Sequence, residues 1–456
     1  MAGRIVAAAG AARHPDLWPP APGLPALTPG DRVHLVGIGG AGMSGLARAL
    51  LELGLRVSGS DRQASPATTE LAAAGVAITI GHAADHLPDG CDLVVVSPAV
   101  PDDNPELRAA VGRGTPVTKR AVLLGALIDS RTGIAVAGTH GKTTTSGMLA
   151  HILTTAGLDP SYFVGGDIID LGANAHLGSG PHVVVEADEY DRSFLNGHPA
   201  VAVVTNVEHD HPDIYATFDD VREAFAAFAA RIRPGGRLIV DAGSPAAAAL
   251  VPPAGVTRET YAVAEAAPAP APDWRAHGVA ATPDGQMFDV DAGGACLGTW
   301  SLRLSGLHNV ANALAAIAAA TALGVDPAVV RRALADYRGA RRRFQVLGRA
   351  GGVTLVDDYA HHPTEIAATL AAARQRFPGQ RVIAVVEPHT YSRVALLADA
   401  FADALRDADR VVVAPIYAAR EAPLPGVDAA RIAAGIPGAD AATDLDAAAA
   451  RAAALA

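Results

Sequence analysis

From residue 32 onward the chain alternates short unbroken apolar runs with longer stretches in which apolar residues recur at helical spacing. Residues 32–38, 56–61 and 92–97 are runs of the first kind, and 43–53 is helical in pattern. Unbroken runs, as opposed to every-other-residue alternation, mark strands covered on both faces. Strand and helix alternating over about 130 residues predict a parallel, doubly wound sheet. The rhythm restarts at residues 133–137 and continues through runs at 182–186, 201–206 and 238–241, closing on an Ala/Leu helix at 309–323. A third cycle has runs at 353–357, 381–387 and 410–415, with Ala-rich helices between them. Residues 251–272 are rich in Pro and Ala and predict an exposed loop. The last residues, 447–456, read as an Ala-rich helix with no closing strand after it, which suggests a third unit short of its last strand.

The expected fold class is α/β in three units, since 456 residues exceed what one core sustains. Residues 1–30 read as a disordered leader, 31–130 as the first domain, 131–338 as the second and 339–456 as the third. The leader's apolar stretch of eight residues, 5–12, is broken by Arg13 and His14 and then turns Pro-rich. It is too short for a membrane span and a poor signal peptide. Half the residues are apolar and only 4% aromatic, so Ala, Val, Leu and Ile must pack the cores. A formal charge of -11 argues against general affinity for nucleic acid or an anionic membrane. Cys91 and Cys296 are far apart without metal-ligand spacing, as expected of two thiols in a reducing cytoplasm.

Two glycine-rich turns follow strands. Gly37-x-Gly39-x-x-Gly42 fits the dinucleotide fingerprint, with Asp61 placed where a ribose-binding acid belongs. That motif alone suits an NAD-dependent oxidoreductase, and a UDP diphosphate fits it equally well. The second turn is Gly138-Thr139-His140-Gly141-Lys142-Thr143-Thr144. A strand, a Gly-bearing turn and a helix beginning near Lys142 aim backbone N–H groups at one point, as a phosphate chain requires. Lys142 would reach the β/γ oxygens and the Thr143 hydroxyl would ligate Mg²⁺. The usual upstream glycine is replaced by Val136. Acidic stretches end the next strands, at residues 186–189 and 205–213. They suit either a Mg²⁺ site or a solvated turn. His209-x-His211 raises the thought of zinc, without a convincing third ligand. In the third unit His361-His362 and the stretch 387–393 lie at strand ends, where open α/β sheets place ligands.

Several of these stretches together, over residues 33–393 and in this order, resemble the Mur ligase family. They are residues 37–47, 138–145, 186–194, 205–213, 308–316, 339–344 and 357–365. The phosphate loop starting at Gly138 is similar to the family's own variant. The opening Gly-Ile-Gly-Gly-Ala-Gly-Met-Ser-Gly looks like the members that join L-alanine to the carboxylate of UDP-N-acetylmuramate, and less like the relatives that recycle muropeptides. The resemblance implies three domains, binding in turn the UDP moiety, ATP and the amino acid, and a cytoplasmic ligase in peptidoglycan precursor synthesis, monomeric or weakly dimeric, using ATP and Mg²⁺. By matched position, Gly37, Gly39, Gly40, Gly42, Met43, Ser44 and Asp61 would serve the UDP substrate. Gly138 to Thr144, Asn309, Arg343 and Asp358 would serve ATP. Thr143 and Glu186 would lie near one Mg²⁺ and His211 at a second, while Tyr359 and Arg393 would grip the amino acid. Lys142, Glu186, His211, His361 and Arg393 form the expected catalytic set. Two positions depart from the pattern. Thr390 stands where some relatives carry an Arg, and Arg341 replaces a usual Gly.

Overall fold

The apolar runs of the first unit become five parallel strands in a computed structural model that describes residues 23–265, 270–419 and 421–456. Their spatial order is Ala77–Ile80, Arg56–Asp61, Arg32–Val36, Leu93–Val96, Val117–Lys119. The chain reverses its direction of winding between Arg32–Val36 and Leu93–Val96, which opens a crevice at their C-terminal ends. Gly37 lies at that point. Of the expected leader, residues 1–22 fall outside the described residues. Within residues 23–30, Leu27 is buried in the first core, with Leu24 packed against it.

The central unit is a ten-stranded sheet. Its middle strands are parallel, running Thr257–Val263, Arg237–Asp241, Val201–Val204, Thr132–Ala137, His182–Glu186, Ser161–Ile168. Thr132–Ala137 sits at the centre with its apolar side chains buried, between helices Lys142–Thr155 and Leu307–Ala322 on one face and Phe218–Ala229 on the other. Strand Thr257–Val263 lies inside the segment expected to be a loop. It is half exposed, so its sequence alternates and carries charge, and the Pro/Ala signal begins only beyond Val263. Strands Trp274–Thr282, Gly285–Ala292 and Ala295–Leu302 extend the same edge, the last two antiparallel.

In the third unit Ile383–Val386, Arg410–Val413 and Asp440–Ala441 form a small parallel sheet, while Gln345–Ala350 and Val353–Asp357 form a separate hairpin. The runs expected at 381–387 and 410–415 shorten to four residues each. The last element is the helix Leu445–Leu455. The third unit joins the central one where Ala340 bridges to Ile168, Arg341 N–H donates to the Asp167 carbonyl (2.8 Å) and Arg338 pairs with Asp170 (2.6 Å). Arg342 and Phe344 take left-handed backbone conformations just beyond, with φ of 58° and 48°. No helix among the described residues is long and apolar enough to cross a membrane.

Candidate active site

The first glycine-rich turn is held from within. Gly37 has a φ of +82°, which a side chain would strain. Gly39 donates its N–H to Asp61 Oδ2 (2.8 Å), and a Cβ there would come within 2.9 Å of both that oxygen and Thr68. Asp61 therefore fastens the turn. Helix Ala41–Glu52 begins directly after Gly40, with Met43 and Ser44 buried in its first turn. The central unit braces this helix: Asn174 Nδ2 donates to the Ala41 carbonyl, and Asn174 Oδ1 accepts from Arg48 (both 2.9 Å).

The second turn is tighter. Gly138 and Gly141 have φ of +138° and +82°, and a Cβ on them would fall 2.0 Å from Thr205 Oγ1 and 2.4 Å from Asn312 Oδ1. His140 N–H donates to Asn206 Oδ1 (2.8 Å). Lys142 opens the helix, and its ammonium donates to the Gly138 carbonyl (2.6 Å) and to Glu189 (2.8 Å). Burial alone would favour neutral Lys142, but Glu189, Asp188 and Glu186 outweigh it and hold the amine charged. Thr143 Oγ1 donates to Glu186 Oε1 (3.1 Å). Burial pushes the Glu186 carboxyl up, against the pull of Lys142, the Gly165 N–H and Arg343.

Asp188, Glu189 and His211 bring one donor atom each within 4.8 Å of one another. Two carboxylates and the His211 nitrogen make one candidate cation site, and the Thr143 hydroxyl with Glu186 offers a separate oxygen pair of the kind Mg²⁺ takes. His211 is pulled toward its charged form by Glu189 and Asp210 although burial opposes it.

Two clefts gather most of the expected residues. One, of about 180 Å³, lies between the central and third units and is lined by His140, Gly141, Thr143, Thr144, Asn309, Arg343 and Asp358. Asn309 is buried there, its amide donating to the Ser305 carbonyl (2.8 Å). Asp358 accepts from the N–H groups of Phe344 and Ala360 (2.7 Å each) and so shapes the Arg343 turn. The other cleft, of about 820 Å³, touches all three units. Gly39, Gly42 and Ser44 line it on one side, Thr143 and Glu186 at its floor, and Arg341, Arg342, Arg343 and Tyr359 on the third unit. Thr143 and Arg343 border both. His361 lines a further groove with Tyr359 and His389. Its Nδ1 faces the Tyr359 carbonyl at 2.7 Å, which accepts only, so Nδ1 carries the proton and Nε2 keeps its lone pair. Burial lowers the His361 pKa.

Three consecutive stretches match models of one family: "Mur ligase family, catalytic domain" over residues 32–132, "Mur ligase middle domain" over 136–320 and "Mur ligase, glutamate ligase domain" over 342–456. The chain belongs to the Mur ligase family. A UDP-N-acetylmuramate--L-alanine ligase of Sorangium cellulosum is 45% identical over 402 residues, covering 88% of this chain and 84% of its own length. The enzyme of that name from Mycolicibacterium gilvum is 46% identical over 415 residues, covering 89% and 86%. Among solved structures, the UDP-N-acetylmuramate-alanine ligase of Thermotoga maritima has a TM-score of 0.74 at 32% identity, covering 85% of each chain. A murein peptide ligase of Psychrobacter arcticus has 0.70 at 29%, covering 91% and 92%.

In this Mur ligase several site features carry no clear sequence signal. Glu189, which holds Lys142, is the last carboxylate of the acidic stretch 186–189, and only the turn after the strand decides which of them faces the lysine. Arg120 lines the large cleft beside Gly42, and its Nε is shut off from solvent without a hydrogen-bond partner. It sits in an unremarkable helix start, so spacing offered no hint. Arg393 is buried and committed: Nε donates to Asp210 Oδ1 and Nη1 to the His389 carbonyl, both at 2.7 Å. Thr390 donates to Glu421 Oε1 (2.7 Å), so a carboxylate occupies the neighbourhood where some relatives carry a cation.

Proposed function

We propose that this Mur ligase catalyses the ATP-dependent joining of L-alanine to the carboxylate of UDP-N-acetylmuramate, releasing ADP and phosphate. The observation that carries the reading is the large cleft, because it runs without interruption from the first glycine-rich turn to Thr143 and Glu186. A substrate whose diphosphate rests at Gly39–Gly42 can there present its far end to a nucleotide held on Gly138–Thr144. The relatives named for this reaction support the choice of substrates.

The carboxylate is inert to amines until activated. One of its oxygens attacks the γ-phosphorus of ATP, the bond to the bridging β–γ oxygen breaks, and ADP leaves with that electron pair. The alanine amine then adds to the carbonyl carbon of the acyl phosphate, and the tetrahedral intermediate collapses by expelling phosphate. Lys142, the N–H groups of the loop and Arg343 meet the charge that develops on the transferred group. Thr143 and Glu186 would hold one Mg²⁺, and His211 with Asp188 and Glu189 a second, and these ions would supply charge neutralisation on the phosphate oxygens. His361, with Nε2 unprotonated, accepts a proton from the alanine ammonium, and Tyr359 and Arg393 hold the alanine carboxylate once it displaces Asp210. Aligning three reactants in one closed space contributes about 7–11 kcal/mol of the barrier reduction.

The test is ADP release measured with UDP-N-acetylmuramate, ATP and each of L-alanine, glycine and L-serine, with the product identified by mass. Turnover requiring all three substrates, fastest with L-alanine, is expected. Turnover with a muropeptide but not with L-alanine would overturn the reading in favour of a recycling ligase.

A further inference from the structure

A second cluster of potential ligands lies away from the carboxylates assigned to Mg²⁺. His140 of the phosphate loop, Glu208 after strand Val201–Val204, and His362 at the start of helix Pro363–Arg376 place one donor atom each within 4.8 Å of one another. His140 Nε2 is 3.4 Å from Glu208 Oε2, and His362 Nδ1 is 3.8 Å from the same oxygen. The two imidazole rings face each other with centroids 4.6 Å apart. Zinc bonds of about 2.0–2.2 Å in a tetrahedron set neighbouring donor atoms roughly 3.3–3.6 Å apart, so these side chains need only small rotations. His362 is 5% exposed, and its Nε2 is buried without any hydrogen-bond partner. Nδ1 accepts only a long bond of 3.3 Å from the Thr364 N–H. Burial pushes the His362 pKa down to about 4, whereas Glu208 and Glu365 overcome burial and raise that of His140 to about 9, so an ion bound here displaces the His140 proton.

We propose that His140, Glu208 and His362 form a binding site for a borderline divalent transition cation, Zn²⁺ in the first instance, and that the bound ion clamps the third unit onto the phosphate loop. Two nitrogens and one carboxylate are a donor set that Zn²⁺ or Co²⁺ takes readily and Mg²⁺ does not. The consequence follows from position. His140 lies between Thr139 and Gly141 in the loop, and His362 belongs to the third unit, so an ion shared by them ties that unit to the loop. The wall of the cleft between the central and third units carries Thr364 and Glu365, which already reach across to Glu208 (2.6 Å) and His140 (3.3 Å). On the ligase reading, in which the third unit must release the loop to exchange substrates, an ion there holds the contact shut, so Zn²⁺ inhibits. The inhibition rests on the proposed ligase reading, whereas the binding does not.

Equilibrium dialysis of the full chain against micromolar Zn²⁺ in excess Mg²⁺ tests the site, with the visible absorption of added Co²⁺ reporting nitrogen-rich four-coordination. The wild type is expected to bind one Zn²⁺ that neither His362→Gln nor Glu208→Gln retains. Each variant should bind more than about 10-fold more weakly, the least that losing even an outer partner of a metal site brings. Circular dichroism confirms that the variants are folded, and the two changes lie on different units. Absence of binding by the wild type, or equal binding by either folded variant, would overturn the proposal. Ligase assays complete the test: Zn²⁺ should inhibit the wild type and spare His362→Gln. Specific binding without inhibition would leave the site and remove the clamp.

Discussion

The two glycine-rich turns are built alike and equipped differently. Each ends a central parallel strand and precedes a helix, so each points backbone N–H groups and a helix N-terminus into a cleft. In the first, the charged group nearest the backbone is Asp61, which accepts from Gly39 and makes the turn rigid. It has no lysine of its own; Arg48 is tied to Asn174 and Glu70, and the cation beside Gly42, Arg120, comes from a separate helix. In the second, Lys142 lies inside the turn, with Glu189 as its counterion. A rigid ring of backbone donors, with Arg120 fixed beside it, suits a diphosphate that is held and returned unchanged. A cation whose present carboxylate partner can be exchanged for phosphate suits a group that is transferred. One backbone plan thus serves as a grip in one unit and as a reaction centre in another.

The largest effect expected along this division is on Lys142. Lys142→Met should lower the rate of ADP release by at least about 100-fold, the scale of removing one group that meets transition-state charge. Calorimetry should find its affinity for UDP-N-acetylmuramate within a factor of about 2 of wild type; a joint loss of both would break the comparison. Arg393→Ala comes next. Losing a charge-assisted contact to the alanine carboxylate costs about 1.5–3 kcal/mol, or a rise of roughly 10- to 150-fold in KM for L-alanine. The constants for ATP should move little. An unchanged KM for L-alanine, with a lowered melting temperature, would show that Arg393 serves only its pair with Asp210. Asp61→Asn is the mildest change, since the turn keeps an acceptor but loses the charge. KM for UDP-N-acetylmuramate should rise about 5-fold, for roughly 1 kcal/mol, with kcat unaltered. A fall in kcat instead would mean that the first turn acts on the chemistry as well.

The sequence disclosed most where strands are buried on both faces. Unbroken runs such as 133–137 and 182–186 leave little choice of structure, and both turns follow from glycines that their strands require. Strands at the rim of the central sheet, such as Thr257–Val263 and Trp274–Thr282, were illegible because one face meets solvent and the pattern alternates with charge. At the site, residue types could be matched to phosphate chemistry while partners could not. Nothing local in the sequence says that Lys142 meets Glu189, 47 positions away, or that Arg393 meets Asp210, 183 positions away. Those pairs exist because separate strand ends converge and one unit closes on another, which is set by packing.

Oxygen transfer tests the central claim most directly, namely that the large cleft delivers the muramate carboxylate to the γ-phosphate held at Lys142. UDP-N-acetylmuramate carrying ¹⁸O in both carboxylate oxygens is turned over with ATP and L-alanine, and the released phosphate is analysed by mass. The account predicts one ¹⁸O atom in each phosphate, the other remaining in the new amide carbonyl. Unlabelled phosphate from complete turnover would contradict it.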